Sequence, residues 1–245
     1  MAEMAAPQVV AELAPTGALR VGINLSNFLL VTGRSAAGEP EGVAPDMGRE
    51  IAARLGVPVA YEPYKTPGEL ADAAGGAAWD IGLIGAEPAR AEKIAFTPAY
   101  VEIEATYLVP AGSPLRAIAD VDRPGVRIAV TGRSAYGLWL DRNIRHATLV
   151  RSDTLDSAYE QFVRDKLDAL AGLRPRLLSD VKKLPGARIL DGQFTAVQQA
   201  IGTARKNAAG AAFLCSFVEE AKASGLVESL IARHKVLGLS VAPPA

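Results

Sequence analysis

Short apolar runs and capped amphipathic segments alternate along most of this chain, and that alternation limits the possible folds more than any other feature. Residues 19–25 form the first apolar run. In the next segment apolar residues recur every four positions from Met47 to Leu55, a spacing typical of one helix face, with Asp46 predicted as the cap and Gly56 as the end. Strands that alternate with helices in this way predict a sheet covered by helices.

The same alternation continues towards the carboxyl terminus. Further strands are predicted over 57–61, 80–84, 104–110, 126–130, 148–150, 167–173 and 188–190. Helices are predicted after Thr66, where Glu69 has capping-box spacing, over 134–144, after Thr154, from about Pro175, and in a tail interrupted at Gly225. The whole pattern is that of an α/β protein.

Two stretches divide the pattern into domains. Turn residues cluster just after Pro110, where we place the passage of the chain from the first lobe to the second. The apolar-polar segment 194–203 is the candidate for the return passage to the first lobe. We therefore expect a discontinuous first lobe, 17–109 plus 200–245, a second lobe, 110–199, and an N-terminal extension, 1–16. Each lobe is expected to be α/β.

Composition excludes several classes of function. The chain has 245 residues, is 49% hydrophobic and carries a formal net charge of −1, so it can bury a sizeable core and offers no basic surface for nucleic acid. Uninterrupted apolar stretches do not approach the roughly 20 residues that span a bilayer, so we expect no membrane-embedded segment. Cys215 is the single cysteine, and neither His146 nor His234 has a His or Cys at ligand spacing. We expect neither metal nor cofactor.

The first 17 residues, MAEMAAPQVVAELAPTG, lack the basic region and apolar run of a secretory signal. If the chain is complete, this predicts a cytoplasmic protein. The alternative is a leader that has been removed.

Polar residues concentrate after the strands that end near positions 25, 84, 130 and 173, where ligands bind in open α/β sheets. They are Asn24, Ser26, Asn27 and Phe28 after the first strand, Glu87 and Arg90 after the second, Thr131, Arg133 and Ser134 after the third, and Arg174 after the fourth. Arginine binds carboxylates bidentately, and the helix predicted from Ser134 offers free N–H groups to an anion. A small acidic ligand is therefore expected, although each arginine taken alone can equally be a solvated loop residue.

An ordered set of segments resembles the amino-acid-type (family 3) solute-binding proteins of bacterial ABC transporters. The segments are GALRVG at 17–22, EGVAPD at 41–46, ARLG at 53–56, WDIGLIG at 79–85, PARA at 88–91, AFTPAY at 95–100, YLVP at 107–110, VRIAV at 126–130 and the helix over 217–225. The resemblance covers about 17–234. It implies a two-lobed periplasmic-binding-protein-like fold (type II), in which two hinge strands join the lobes and the ligand cleft between them closes on binding.

The resemblance also implies roles for particular residues. Arg90 matches the family's Pro-x-Arg arginine, which grips the ligand carboxylate, and Arg133, Ser134 and Ala135 match the anion turn of the second lobe. The turn that begins at Gly85 supplies first-lobe contacts. Phe28 or Tyr64 is expected either to wall the ligand or to belong to the core. A monomeric protein, an ABC permease as partner and a periplasmic location also follow from the resemblance.

Two departures from the family pattern bear on the ligand. The turn after Gly85 is about two residues short and contains Glu87 in place of hydroxyl residues. Leu173 occupies a position where the family often has an aspartate for an α-ammonium group, and Arg174 follows it. If Arg174 faces the ligand, organic anions should bind better than amino acids; if it faces solvent, Glu87 is the acid left to receive an ammonium group.

We expect a binding protein and not an enzyme, because the sequence offers no Ser-His-Asp, Cys-His or metal arrangement. Two alternatives remain open on the same fold. One is a small-molecule sensor domain. The other is a prephenate-type dehydratase, for which Glu87 is the candidate acid.

Overall fold

The computed structural model describes residues 5–245. In chain order the strands are β1 (Leu19–Asn24), β2 (Gly33–Arg34), β3 (Pro40–Glu41), β4 (Val59–Tyr64), β5 (Ile81–Gly85), β6 (Ile94–Phe96), β7 (Val101–Val109), β8 (Arg127–Thr131), β9 (Thr148–Ser152), β10 (Ala169–Leu173), β11 (Arg188–Ile189), β12 (Thr195–Ala204) and β13 (Ser240–Val241). The helices are α1 (Pro7–Leu13), α2 (Val43–Leu55), α3 (Pro67–Asp72), α4 (Pro88–Ala91), α5 (Ala135–Asn143), α6 (Leu155–Arg164), α7 (Arg174–Asp180), α8 (Ala208–Ala223) and α9 (Leu226–Arg233), with 3-10 turns at Ile118–Asp120 and Val181–Lys183. The expected α/β class is confirmed.

The chain forms two compact units. Unit 1 extends to Glu102 and resumes over Gln198–Ala245, and unit 2 covers Ile103–Val197. The chain passes between them inside β7 and inside β12. The first passage comes earlier than the expected 109/110, because β7 from Ala105 onwards already pairs with β10 of unit 2.

The sheet of unit 1 is built around β1. This strand pairs in parallel with β4 and with β5, and β5 pairs antiparallel with β12. The buried side chains of β1 at Leu19, Val21 and Ile23 contribute to the main core of the unit. Because β1, β4 and β5 are parallel, their carboxyl ends at Asn24, Tyr64 and Gly85 share one edge of the sheet.

The predicted cap of α2 is wrong. The helix is capped four residues earlier, at Gly42, whose φ of 146° favours glycine and whose Cβ, if present, would lie 2.3 Å from the carbonyl oxygen of Leu30. Asp46 lies in the first turn, and its Oδ2 reaches His234 Nε2, at the end of α9, at 2.8 Å. The close approach of Gly42 to the backbone of Leu30 sets the start of the helix. Asp46 is therefore not the cap, and its side chain contacts His234 instead.

The segment expected as an N-terminal extension contributes to unit 1 from residue 5 onwards. In α1, Val9 and Leu13 are buried in the main core. The backbone N–H of Gly210, in the first turn of α8, donates to Glu12 Oε2 at 2.7 Å, and a Cβ on Gly210 would lie 2.7 Å from Leu13 Cδ2. Positions 1–4 lie outside the described residues.

The sheet of unit 2 places three parallel strands side by side. β8 pairs with both β9 and β10, and β10 pairs antiparallel with β7. Phe162 of α6 and Leu177 of α7 pack in its core. The carboxyl ends of the parallel strands, at Thr131, Ser152 and Leu173, share one edge.

Several predicted helix boundaries are confirmed by their hydrogen bonds. Thr66 Oγ1 accepts from the N–H of Glu69 at 3.2 Å, and Thr154 Oγ1 accepts from the N–H of Ser157 at 3.0 Å. Gly225 separates α8 from α9 with a φ of 76°. Within residues 5–245, no helix combines the length and the apolar character needed to cross a membrane.

Candidate ligand-binding site

The turn after β1 is held by its own amide side chains. Asn24 Oδ1 accepts from the N–H and the hydroxyl of Ser26 at 3.1 and 2.7 Å, and the buried Asn27 Oδ1 accepts from the N–H of Leu29 at 3.3 Å. Phe28, which directly follows Asn27, is 39% exposed. The two asparagines therefore fix the turn, and Phe28 is the apolar group that the turn presents rather than a core residue.

Tyr64 ends β4 directly beside Asn24 in the β1–β4 ladder. It is half-buried and packs against the small cluster that contains Leu70 and Trp79. Burial raises the pKa of its hydroxyl, and the charge of Glu62 adds to the rise. Tyr64 was expected either to wall the ligand or to belong to the core. The contacts that it makes in the structure are packing contacts with this core cluster.

The turn after β5 contains two buried charged residues. Arg90 is only 6% exposed, and its Nη1 donates to the carbonyl oxygen of Gly85 at 2.7 Å. Glu87, also buried, precedes the short helix α4, and its carbonyl oxygen accepts from the N–H of Arg90 at 3.0 Å. The sequence placed Gly85, Glu87 and Arg90 in one turn, and the structure brings them into hydrogen-bond contact.

The guanidinium of Arg90 places a permanent positive charge in this buried turn. Arginine keeps its charge in proteins, and water screens a buried charge less than an exposed one. The bond to the end of β5 fixes the orientation of Arg90, so its other N–H groups keep defined directions. A site of this kind favours a charge-assisted bond to a carboxylate.

The turn after β8 leads into α5 and is organised by Ser134. Its hydroxyl donates to the carbonyl oxygen of Thr131 at 2.7 Å and accepts from the N–H of Gly137 at 3.0 Å. The hydroxyl is thus used as the helix cap. The N–H groups of Ala135 and Tyr136, at the start of the helix, have no intrahelical acceptor and are the groups that α5 can offer to an anion.

Arg133 occupies the same turn in an unusual backbone conformation. Its φ is 58°, in the left-handed region that costs an L-residue roughly 1 kcal/mol, and its side chain is exposed. The neighbouring Gly132 anchors the turn through its N–H, which donates to the carbonyl oxygen of Ser152 at 2.8 Å. The turn therefore directs a charged side chain outwards from the carboxyl edge of unit 2.

Arg174 is bonded within its own unit. Its Nε donates to Glu104 Oε2 and its Nη2 to the carbonyl oxygen of Gly192, both at 2.5 Å. The adjacent Leu173 is buried. Glu104 is exposed among the buried apolar residues of β7, and nothing in the local sequence indicated its pairing with Arg174.

The residues expected at the site divide between the two units. Unit 1 holds Asn24, Asn27, Phe28, Tyr64, Gly85, Glu87 and Arg90, and unit 2 holds Arg133, Ser134, Ala135 and Arg174. In each unit they lie at or just beyond the carboxyl ends of the parallel strands. Over residues 5–245, no three His, Cys, Asp or Glu side chains come together as metal ligands do.

Comparisons with known proteins give one family. The family model of the bacterial extracellular solute-binding proteins, family 3, matches residues 19–235. No curated protein sequence matches the chain.

Many solved structures have a similar fold. A mutant of ArgBP from T. maritima is 22% identical, with a TM-score of 0.73 over 93% of this chain and 99% of that one. An ancestral amino acid-binding protein, described as a precursor of cyclohexadienyl dehydratase, is 20% identical, with a TM-score of 0.73 over 91% and 98%. A histidine kinase sensor domain is 18% identical, with a TM-score of 0.74 over 92% and 98%. At these identities the likeness establishes the fold alone.

Proposed function

We propose that this chain, which belongs to the bacterial extracellular solute-binding proteins of family 3, binds a small carboxylate-bearing solute for an ABC-type transporter. The solute is an amino acid or an organic acid. The observation that carries the proposal is the buried Arg90, oriented by the carbonyl of Gly85 at the carboxyl end of β5.

Each unit, taken by itself, has groups that can bind a carboxylate. In unit 1, Arg90 supplies the charge and Phe28 an exposed apolar surface in the neighbouring turn. In unit 2, the first N–H groups of α5, at Ala135 and Tyr136, supply donors at the positive end of the helix dipole. These are binding groups, and binding is the function that they support best.

The test is the affinity of an Arg90→Ala variant. Amino acids and organic acids are first screened one at a time by thermal shift at about 1 mM, because a solute at 100 times its Kd adds about 2.7 kcal/mol of stability. Calorimetry on the best solute should then show at least tenfold weaker binding to Arg90→Ala, since a buried charge-assisted contact is worth roughly 2–5 kcal/mol.

Two further variants make this test decisive. Arg54→Ala removes a partly exposed arginine whose partner is Glu220, on α8, and should leave affinity unchanged. Arg90→Lys keeps a positive charge and should keep part of the affinity. An unchanged Kd in a folded Arg90→Ala protein would overturn the assignment of Arg90 as the carboxylate anchor.

The alternative activities have their own observable outcomes. The dehydratase alternative depends on Glu87, a buried carboxyl group in the same turn as Arg90. Conversion of prephenate, followed by NMR and abolished by Glu87→Gln, would favour it. Ligand binding without any effect on solute uptake would favour a sensor domain.

We infer an ABC permease as the partner, a periplasmic location and a monomeric state, as expected from the family. Solute uptake by cells with and without the gene tests the partner. Cell fractionation tests the location, and light scattering tests the monomeric state.

A further inference from the structure

A cavity of about 240 Å³ lies in unit 1, at the amino-terminal edge of its sheet. Arg20 of β1 and Asp80, directly before β5, form one side of it, and Ala204, at the end of the antiparallel β12, lies on another. This edge is opposite the strand ends at Asn24 and Gly85. The volume equals that of roughly eight liquid water molecules, which is enough for a single-ring or short-chain molecule.

Segments that are distant in the sequence build the walls and are joined by hydrogen bonds. Helix α1 contributes Glu12, whose carbonyl oxygen accepts from Nδ2 of Asn207, at the start of α8, at 3.1 Å. The loop after α3 contributes Ala77, whose carbonyl oxygen accepts from Arg20 Nη1. Trp79, which is only 6% exposed, adds an apolar side. The cavity is therefore built into unit 1 and combines charged and apolar walls.

Both carboxylates at the cavity are already compensated. Asp80 accepts three hydrogen bonds from Arg20, donated by the backbone N–H, by Nε and by Nη2. Glu12 accepts from Gln8 Nε2 at 3.2 Å and from the N–H of Gly210, in the first turn of α8, where the helix dipole favours a negative charge. Neither carboxylate therefore offers an uncompensated charge to a cation.

Lys206 differs from these groups. It lines the cavity and is exposed, and its ammonium makes no hydrogen bond or ion pair with any of residues 5–245. The neighbouring Arg205 is engaged elsewhere, because its Nη1 donates to the carbonyl oxygen of Ala91 at 2.7 Å. Among the described residues that line the cavity, the uncompensated charge is therefore positive.

We propose that this cavity binds a small organic anion, with the charged group of the anion on Lys206 and its apolar part against Trp79. A lysine ammonium is a compact charge with three donors, so a carboxylate and a phosphate both satisfy it. All the residues involved belong to unit 1 and lie at the opposite edge of the sheet from the turn of Arg90. The site is therefore independent of the proposed function.

Three ring compounds of matched shape test the charge preference. They are benzoate, benzamide and benzamidine, which are anionic, neutral and cationic at pH 7. An NMR titration at millimolar concentrations follows the backbone amides of 77–80 and 204–207. Benzoate should shift these signals and bind more tightly than benzamide, and benzamidine should bind most weakly. Phenyl phosphate should shift the same signals, and its affinity relative to benzoate identifies the preferred anionic group.

Variants separate the charge from the shape of the cavity. Lys206→Gln should weaken benzoate binding at least about threefold, and Lys206→Glu should make benzamidine the tighter ligand. Ala11 lines the cavity from α1, so Ala11→Phe should fill part of it and remove the shifts without changing any charge. Lys182→Gln, at an exposed lysine of unit 2, is the matched control and should leave benzoate binding unchanged. Melting temperatures confirm that all variants are folded.

The Arg90→Ala variant shows whether the cavity is a separate site. Shifts at 204–207 that persist in this variant support the proposal, whatever happens to solute binding. Shifts that disappear with Arg90 would overturn it, because benzoate would then be reporting on the solute site. Equal affinities for the three ring compounds, an unchanged benzoate affinity in Lys206→Glu, or the lack of shifts at 77–80 and 204–207 with both anions would also overturn it.

Discussion

Asp46 is a buried carboxylate that contacts three basic side chains of unit 1. Its oxygens bond Arg49 in the same helix and reach Arg233 and His234 at the end of α9, at 3.2 and 2.8 Å. Burial raises the pKa of Asp46, but the hydrogen bond and charge of His234 and the charge of Arg49 outweigh it, so the pKa lies below its ordinary value. A single residue thus joins the start of α2 to the end of α9.

We expect Asp46→Asn to change the dependence of stability on acid. A carboxyl group with a lowered pKa stabilises the fold above its unfolded pKa of about 3.9, and this contribution is lost as the pH falls through the lower, folded pKa. Asp46→Asn should therefore reduce the unfolding free energy by about 1–3 kcal/mol at pH 7. The deficit relative to wild type should shrink below about pH 4.

Urea unfolding followed by circular dichroism at pH 7 and at pH 3.5 measures this difference. Asp141→Asn is the control, because Asp141 forms an exposed pair with Arg151. A deficit that stays constant between the two pH values would contradict a role for Asp46 as a charged partner.

At the scale of elements, α1 and α8 depend on each other. Glu12 Oε2 accepts from the N–H of Gly210, and the carbonyl oxygen of Glu12 accepts from Asn207 Nδ2 at 3.1 Å. Leu13 is fully buried beside Gly210, at a position where a larger residue on α8 would collide with it. The first described helix is therefore part of the core of unit 1.

Leu13→Ala should destabilise the protein by about 2–5 kcal/mol, because a buried leucine leaves a cavity that the surroundings fill only in part. Urea unfolding measures the change. Leu237→Ala is the matched control, since Leu237 is 85% exposed and its loss should cost less than about 0.5 kcal/mol. Equal stability of Leu13→Ala and wild type would show that α1 does not contribute to the core.

For the whole molecule, the two passages of the chain between units are the feature with a functional consequence. Both lie inside long strands, β7 and β12. The family resemblance predicts closure on ligand binding, so the radius of gyration should fall when a solute verified by calorimetry is added. Small-angle scattering measures it, with Arg90→Ala at the same solute concentration as the control. An unchanged radius for saturated wild-type protein would contradict closure.

Local chemistry was enough to predict much of the architecture. Alternating apolar runs and caps such as Thr66 and Thr154 predicted strands and helices close to those observed, because these signals depend on near neighbours in the chain. The order of segments further indicated the family that the family model now matches. The same patterns placed Gly85, Glu87 and Arg90 together in one turn after a buried strand.

Contacts between distant segments decided the rest. The sequence predicted Asp46 as a helix cap. In the structure the close approach at Gly42 sets the helix start, and the end of α9 provides the partners of Asp46. The sequence did not show that Arg174 is paired. In the structure β7 places Glu104, 70 positions away in the chain, within hydrogen-bond distance of its Nε. The sequence by itself determined the elements and the strand ends where binding residues gather, because both depend on local periodicity. Only the tertiary structure decided which charges meet, since strand pairing joins residues that no local pattern connects.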